Sequence, residues 1–181
     1  MTAYSYEIKI PRSRVAVLIG KQGAVKKQLE HETKTRIKVD SHEGDVFVNG
    51  EDAVNLLAVK DIIIAIGRGF NPELAQLLLK QDYSLEIVNI TDFLKGKDHL
   101  KRIKGRVIGQ EGKARRAIEE LTRCHISVFG KTIAVIGPVD FCLSARRAVE
   151  MLLRGSPHAN VYRMLEKKRR EMRYFEHERK E

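Results

Sequence analysis

Tryptophan is absent from this chain, and tyrosine and phenylalanine together supply only 6% of it, so the sequence offers no ring of exposed aromatics on which a ligand could stack. There are two cysteines, Cys124 and Cys142, 18 residues apart with no CxxC and no nearby histidine pair. That spacing excludes a disulfide framework and a zinc site, and suits a reducing cytoplasm. The six histidines show neither HExxH nor a metal-ligand cluster, so no metal or cofactor is expected. No apolar run approaches the roughly 18 residues of a membrane span. The longest, DIIIAIG at 61–67, has the length of a core-helix segment. The N-terminus alternates polar and apolar residues and does not read as a signal peptide. No nucleophile–base constellation stands out, and the chain does not read as an enzyme. GQEGKA at 109–114 fails as a nucleotide phosphate loop, because Val107 stands where its first glycine belongs and Ala114 replaces the magnesium-binding Ser/Thr. NIT at 89–91 has the form of a glycosylation acceptor, which carries no meaning without secretion.

What is present is charge, unevenly placed. Lysine and arginine number 34 against 24 acidic residues, a formal net charge of +10. Residues 1–94 hold 12 basic and 13 acidic side chains, whereas 95–116 hold 9 and 2. Seven of the ten net charges thus fall in a 22-residue window. A merely solvated surface interleaves both signs, so this concentration points to a polyanionic partner. The 43% hydrophobic content is that of a globular chain.

The chain also repeats itself. Ile19-Gly20, Leu29, Thr33 and Ile37/Val39 correspond to Ile108-Gly109, Ile118, Thr122 and Ile126/Val128 at an offset of 89. The offset drifts to 85 at Asn71-Pro72 against Ser156-Pro157, as small loop changes produce. Each copy opens with an alternating strand, YSYEIKI at 4–10 and SLEIVNI at 84–90. A short helix leads into Gly-x-x-Gly and then an amphipathic helix. Two strands follow (TRIKVD and DVFVNG; HISVFG and KTIAVIG), the second pair meeting at a Gly130-Lys131 turn. Helices over 51–67 and 138–153 close the copies, with Gly69 and Gly155 as C-terminal caps. Asn71 and Ser156, each followed by proline, read as starts of further helices. The second copy carries about nine extra residues within TDFLKGKDHLKRIKG. The predicted organisation is a first domain over 1–82 with a linker helix, a second over 83–160, and a basic helical tail over 161–181. That tail has Val161, Leu165, Met172 and Phe175 on a loose stripe, docked at its start and frayed at its end.

One Gly-x-x-Gly is weak evidence, since chance alone gives roughly one in a chain this long. Two in equivalent places of a repeat, each between two short helices, are not. A turn that tight needs backbone angles open to glycine. Lacking side chains, the glycines let a sugar-phosphate backbone approach, and the following helix offers unpaired N–H groups and its positive dipole end. A plain helix-turn-helix connection would explain the glycines as well; the charge around the second motif favours the anion-binding reading there.

The pattern Val-Ile-Gly-x-x-Gly within strand-helix-helix-strand-strand-helix resembles the KH domain in its eukaryotic-type (type I) topology. The resemblance implies an α+β fold of two tandem βααββα domains, each with a three-stranded antiparallel sheet packed on helices. It implies that the Gly-x-x-Gly loop clamps the backbone of about four single-stranded nucleotides beside a groove. GKARRAIEELT, ISVFGKTIAVIGP and GSPHANVYRMLE further resemble the archaeal relatives of the ribosome assembly factor partner of Nob one. That likeness implies binding to ribosomal RNA near the 3′ end of the small subunit. It also implies a maturation endonuclease or a translation initiation factor as protein partner, and no membrane. Carried over by position, the clamp is Gly109, Gln110, Glu111 and Gly112, with Lys104, Arg106, Lys113, Arg115 and Arg116 as phosphate partners. The groove floor falls on Val107, Ile108, Ile118, Ile126 and Val128. Glu111 departs from this logic, since an acidic side chain there repels phosphate unless it points away. In the first copy the matching residues are Gly20, Lys21, Gln22 and Gly23, in a nearly neutral domain. The expectation is a division of labour in which the second domain grips RNA and the first is auxiliary or docks protein. A general tandem-KH factor for messenger RNA, transcription or translation, and a protein-interaction scaffold, are the alternatives.

Overall fold

The computed structural model describes residues 4–94 and 100–178, with side chains through Tyr174, and divides the chain into two units, Met1–Tyr83 and Ser84–Glu181. Residues 95–99 of the insertion, Lys95 and Lys97 among them, lie outside the described residues, as do the Phe175 side chain and the last three positions.

The first unit runs β1 (Tyr4–Lys9), α1 (Arg12–Ile19), α2 (Ala24–Thr33), β2 (Arg36–Val39), β3 (Asp45–Gly50) and α3 (Ala53–Gly67). The sheet order is β1-β3-β2 and both pairings are antiparallel, with Ile8 opposite Val46 and Ile37 opposite Val48. The period-2 alternation in the sequence explains the burial: Ile8, Ile37, Val46 and Val48 are buried, while Glu7, Lys38 and Phe47 face outward. Asp52 caps α3 by accepting from the backbone N–H groups of Val54 and Asn55 at 2.8 and 3.2 Å. Helix α3 contains the DIIIAIG run and buries Leu56, Val59, Ile62, Ile63 and Ile66. A one-turn helix α4 (Pro72–Ala75) follows, capped by Asn71, which accepts from Leu74 N at 3.0 Å.

The second unit repeats the order: β4 (Tyr83–Asn89, entered at the boundary), α5 (Leu100–Ile108), α6 (Lys113–Thr122), β5 (His125–Phe129), β6 (Thr132–Pro138) and α7 (Val139–Leu153). Its sheet order is β4-β6-β5, with Ile126 opposite Val135. The two units are thus the tandem type I βααββα domains that the repeat implied. Gly69 and Gly155 lie one residue beyond the helix C-caps, Arg68 and Arg154, at φ +101° and +98°. Both cysteines are buried, and the Cys124 thiol is pushed up by its hydrogen bond with Cys142 and by burial, which keeps it neutral.

The units differ most after their closing helices. Where the first has α4 and a further 3₁₀ turn, the second has α8 (His158–Glu178), 21 residues long. Val161 and Leu165 are 0% and 1% exposed within the core of the second unit, and Met172 packs against it. The segment expected to be a tail therefore begins as an integral part of the second unit. No helix among the described residues is long and apolar enough to cross a membrane.

Candidate nucleic-acid interface

The two Gly-x-x-Gly loops have the same backbone. Gly20, Gln22 and Gly23 lie at φ +73°, +53° and +79°; Gly109, Glu111 and Gly112 lie at +74°, +52° and +77°. Three of four residues are left-handed, and two of those are glycines because any other residue pays for that region in steric contact. The glycines within one loop are not equivalent. A Cβ on Gly109 would lie 2.6 Å from Ala114 N and 2.7 Å from Ala114 Cβ, and one on Gly20 would lie 2.9 Å from Val25 Cβ. The first glycine of each motif therefore lets two helices meet closely, a purpose internal to the fold. The second glycine opens outward. A Cβ on Gly112 would meet only the end of the Arg116 side chain, at 3.4 Å, and one on Gly23 only the Lys27 Cε, at 3.7 Å. Only the second position leaves the main chain open to a ligand.

Around the second loop, Gln110, Glu111 and Lys113 are exposed, and Lys104 and Ile108 are half-buried. Neither Lys104 nor Lys113 makes a hydrogen bond or ion pair among the described residues, which leaves both ammonium groups available to an anion. Arg116 is exposed, but its Nη2 donates to the carbonyl oxygen of Glu111 at 2.7 Å, bracing the loop from the following helix. Arg115 Nε lies 3.7 Å from Glu119 Oε2. Glu119 in turn accepts from Ile126 N at 2.8 Å, as Glu30 accepts from Ile37 N at 2.7 Å in the first unit.

Two expected site residues are partly taken up by the fold itself. Arg106 holds the fold with two of its five guanidinium donors. Its Nε donates to Leu152 O at 3.0 Å and its Nη2 to Ser156 O at 2.7 Å, tying α5 to the turn between α7 and α8. The ring nitrogen Nε2 of His158 returns a bond to Arg106 O at 2.8 Å. Arg14 does the same in the first unit, donating to Ile66 O at 2.8 Å and to Phe70 O. Burial also lowers the Arg14 pKa from its ordinary value. The groove floor is likewise smaller than expected. Val107, Ile118 and Ile126 are 0%, 0% and 4% exposed and belong to the hydrophobic core, so Ile126 offers no surface. Ile108 and Val128 remain half-exposed.

The first unit's loop presents exposed Lys21 and Gln22, and the start of α2 adds half-buried Lys26 and exposed Lys27 at the positions of Arg115 and Arg116; Val15 and Ala24 stand where the second unit has Lys104 and Lys113. The first unit also exposes aromatics that the sequence reading missed: Tyr4 and Tyr6 (48% and 38%) on one face of the sheet, with the Lys60 ammonium 4.8 Å from the Tyr6 ring centre, and Phe47 (38%) on the other. Strand alternation places Tyr4 and Tyr6 on the face of β1 that buries Ile8, which hid their exposure at the sheet edge. No group of three or more histidine, cysteine or acidic side chains suited to a metal ion occurs among the described residues.

Comparison with known proteins agrees with this geometry. Residues 84–170 match the model for the second domain of PNO1, a eukaryotic-type KH domain (KH-domain type I), and residues 5–65 match the KH domain. The chain is 45% identical over 170 residues to a KH domain-containing protein of Methanocaldococcus jannaschii, covering 92% of this chain and 74% of that one. It is 32% identical over 137 residues to the RNA-binding protein PNO1 of Oryzias latipes, covering 74% and 56%. Among solved structures, that of the a/eIF2alpha–aDim2p–rRNA complex of Pyrococcus horikoshii matches with a TM-score of 0.87 at 44% identity, covering 93% of this chain and 96% of that one. The chain is an archaeal KH-domain protein and belongs to the family of PNO1 and Dim2p.

Proposed function

We propose that this protein binds single-stranded ribosomal RNA, in the 3′-end region of the small subunit, as a non-catalytic factor of ribosome assembly. The observation that carries this reading is the second Gly-x-x-Gly loop, where Gly112 opens outward, Lys113 follows it and Lys104 stands on α5 one turn before Ile108, neither lysine making a hydrogen bond or ion pair among the described residues. A phosphodiester backbone can approach the bare main chain there, receive N–H groups from the start of α6, and be neutralised by the two lysines. Half-exposed Ile108 and Val128 offer aliphatic surface to the bases. In this reading Gly109, Gln110, Glu111, Gly112, Lys104, Lys113 and Ile108 form the interface, and Arg116 holds the loop in shape. Arg115 contributes its remaining donors from beside Glu119. The loop of the first unit, Gly20 to Gly23, is auxiliary. The relative solved with ribosomal RNA and a/eIF2alpha supports both the nucleic-acid class and a translation initiation factor as protein partner.

The test is fluorescence anisotropy with a labelled strand copying the 3′ end of small-subunit ribosomal RNA, beside a scrambled strand at matched salt. The expected result is preference for the true sequence by about tenfold or more, near 1.4 kcal/mol. Equal affinity would leave a purely electrostatic grip and remove the sequence-specific assembly role. Binding to neither strand would remove RNA as the partner.

A further inference from the structure

We propose that the second unit carries a pocket for one guanine nucleotide, on the flank of α5 away from Lys104 and separate from the Gly-x-x-Gly loop. The pocket encloses about 910 Å³ between the residues after β4, the side of α5 that bears Arg102 and Arg106, and the end of α7. Ile103 and Leu153, 7% and 4% exposed, lie at its base, and Asp92, Phe93, Arg102, Arg106 and Arg154 line it above them. Residues four apart share a helix face, so Arg102 and Arg106 stand together while Lys104 and Ile108 fall on another side. Helix α5 thus parts two surfaces, and the pocket is not a part of the one beside Gly112. The first unit cannot build it. Ser13 and Val17 stand where Arg102 and Arg106 do, and Asp92 and Phe93 belong to the stretch that carries the extra residues of the second copy.

The lining combines three chemistries that a nucleotide needs together. The Arg154 guanidinium lies over the Phe93 ring, 5.5 Å from its centre, and offers its other face to a planar base. The Asp92 carboxylate makes no hydrogen bond or ion pair among the described residues, although three arginines line the same pocket. A carboxylate accepts from the adjacent N1–H and N2–H groups of guanine, a pair of neighbouring donors that no other RNA base presents. Arg106 is held by its bonds to Leu152 O and Ser156 O, while its Nη1 has no partner among the described residues. With Arg102 beside it, that nitrogen can meet a phosphate. A site for phosphate alone would gain nothing from Asp92, which repels it. An apolar ligand would leave the guanidinium groups around it without partners.

The test is amide NMR of the isotope-labelled full-length protein, titrated with guanosine monophosphate, cytidine monophosphate and inorganic phosphate. Guanosine monophosphate should shift residues 92–94, 102–106 and 153–155, and bind about fivefold or more tightly than cytidine monophosphate. Arg154→Ala should weaken it by about fivefold, the loss of the stacking face. Asp92→Asn should bring the two nucleotides to equal affinity in a protein of unchanged melting temperature. Two RNA strands, one with a single guanosine among pyrimidines and one of pyrimidines only, separate the sources of the nucleotide. Shifts of the same residues by the guanosine strand would assign the pocket to RNA, and shifts by the free monophosphate alone would assign it to a free nucleotide. No shift there with either, or equal shifts with inorganic phosphate, would overturn the proposal. Failure of RNA to bind beside Gly112 is a separate result, read at residues 109–113.

Discussion

The two KH units share a loop geometry to within a few degrees at every left-handed position, yet differ in what surrounds it. The second loop stands in a window (95–116) of 9 basic against 2 acidic residues; the matching window of the first (6–27) holds 6 against 1. Both loops are thus basic, and the second adds Lys104 and Lys113 where the first has Val15 and Ala24. The shape is required by the fold, because Gly20 and Gly109 let α1 meet α2 and α5 meet α6. The charge is not, because Lys104 and Lys113 hold nothing among the described residues. A Gly-x-x-Gly loop alone is accordingly a statement about helix packing, and becomes one about RNA only with its cations.

That distinction can be attacked in order of expected effect. Gly109→Ala forces a methyl group into Ala114 at a left-handed backbone position, and should destabilise the second unit by about 3 kcal/mol, read by hydrogen exchange within α5 and α6. Gly112→Asp makes no hard clash, carries a left-handed backbone strain of about 1–2 kcal/mol at φ +77°, and puts a negative side chain where phosphate must approach. It should lower RNA affinity by about a hundredfold, ~2.7 kcal/mol, with an unchanged circular dichroism spectrum. Arg106→Ala removes two charge-assisted bonds and leaves the Ser156 carbonyl short of a donor, while Leu152 O keeps the Gly155 N–H at 3.1 Å. It should destabilise the second unit by about 2 kcal/mol in urea denaturation, with its effect on stability exceeding its effect on the salt dependence of binding. Lys104→Ala and Lys113→Ala should each make the log-log dependence of affinity on salt shallower by about 0.7, the signature of one lost phosphate contact on a single strand.

Much of the fold was legible because its signals are local. Alternation in YSYEIKI and SLEIVNI marked the opening strands, and Asn71-Pro72 marked a helix start. The tandem copies followed from matching these signals at a nearly constant offset. The bracing bonds of Arg106 were not legible because its acceptors lie 46 and 50 residues away, at the turn after α7, and nothing local marks a guanidinium that braces the fold. Its counterpart Arg14 reaches acceptors 52 and 56 residues away, so even the repeat gave no warning. Ile126 was assigned to the groove for a related reason. Alternation in HISVFG says that one face of β5 is buried, and only the pairing of Ile126 with Val135 places it on the core side.

The most direct test of the division of labour is to titrate the 3′-end strand into Gly23→Asp and Gly112→Asp proteins side by side, at one salt concentration and with folding verified for each. The account predicts near-native affinity for Gly23→Asp and loss of most binding for Gly112→Asp. Equal losses in two well-folded variants would contradict it, and would mean that the first loop, with Lys21, Lys26 and Lys27, grips RNA as firmly as the second.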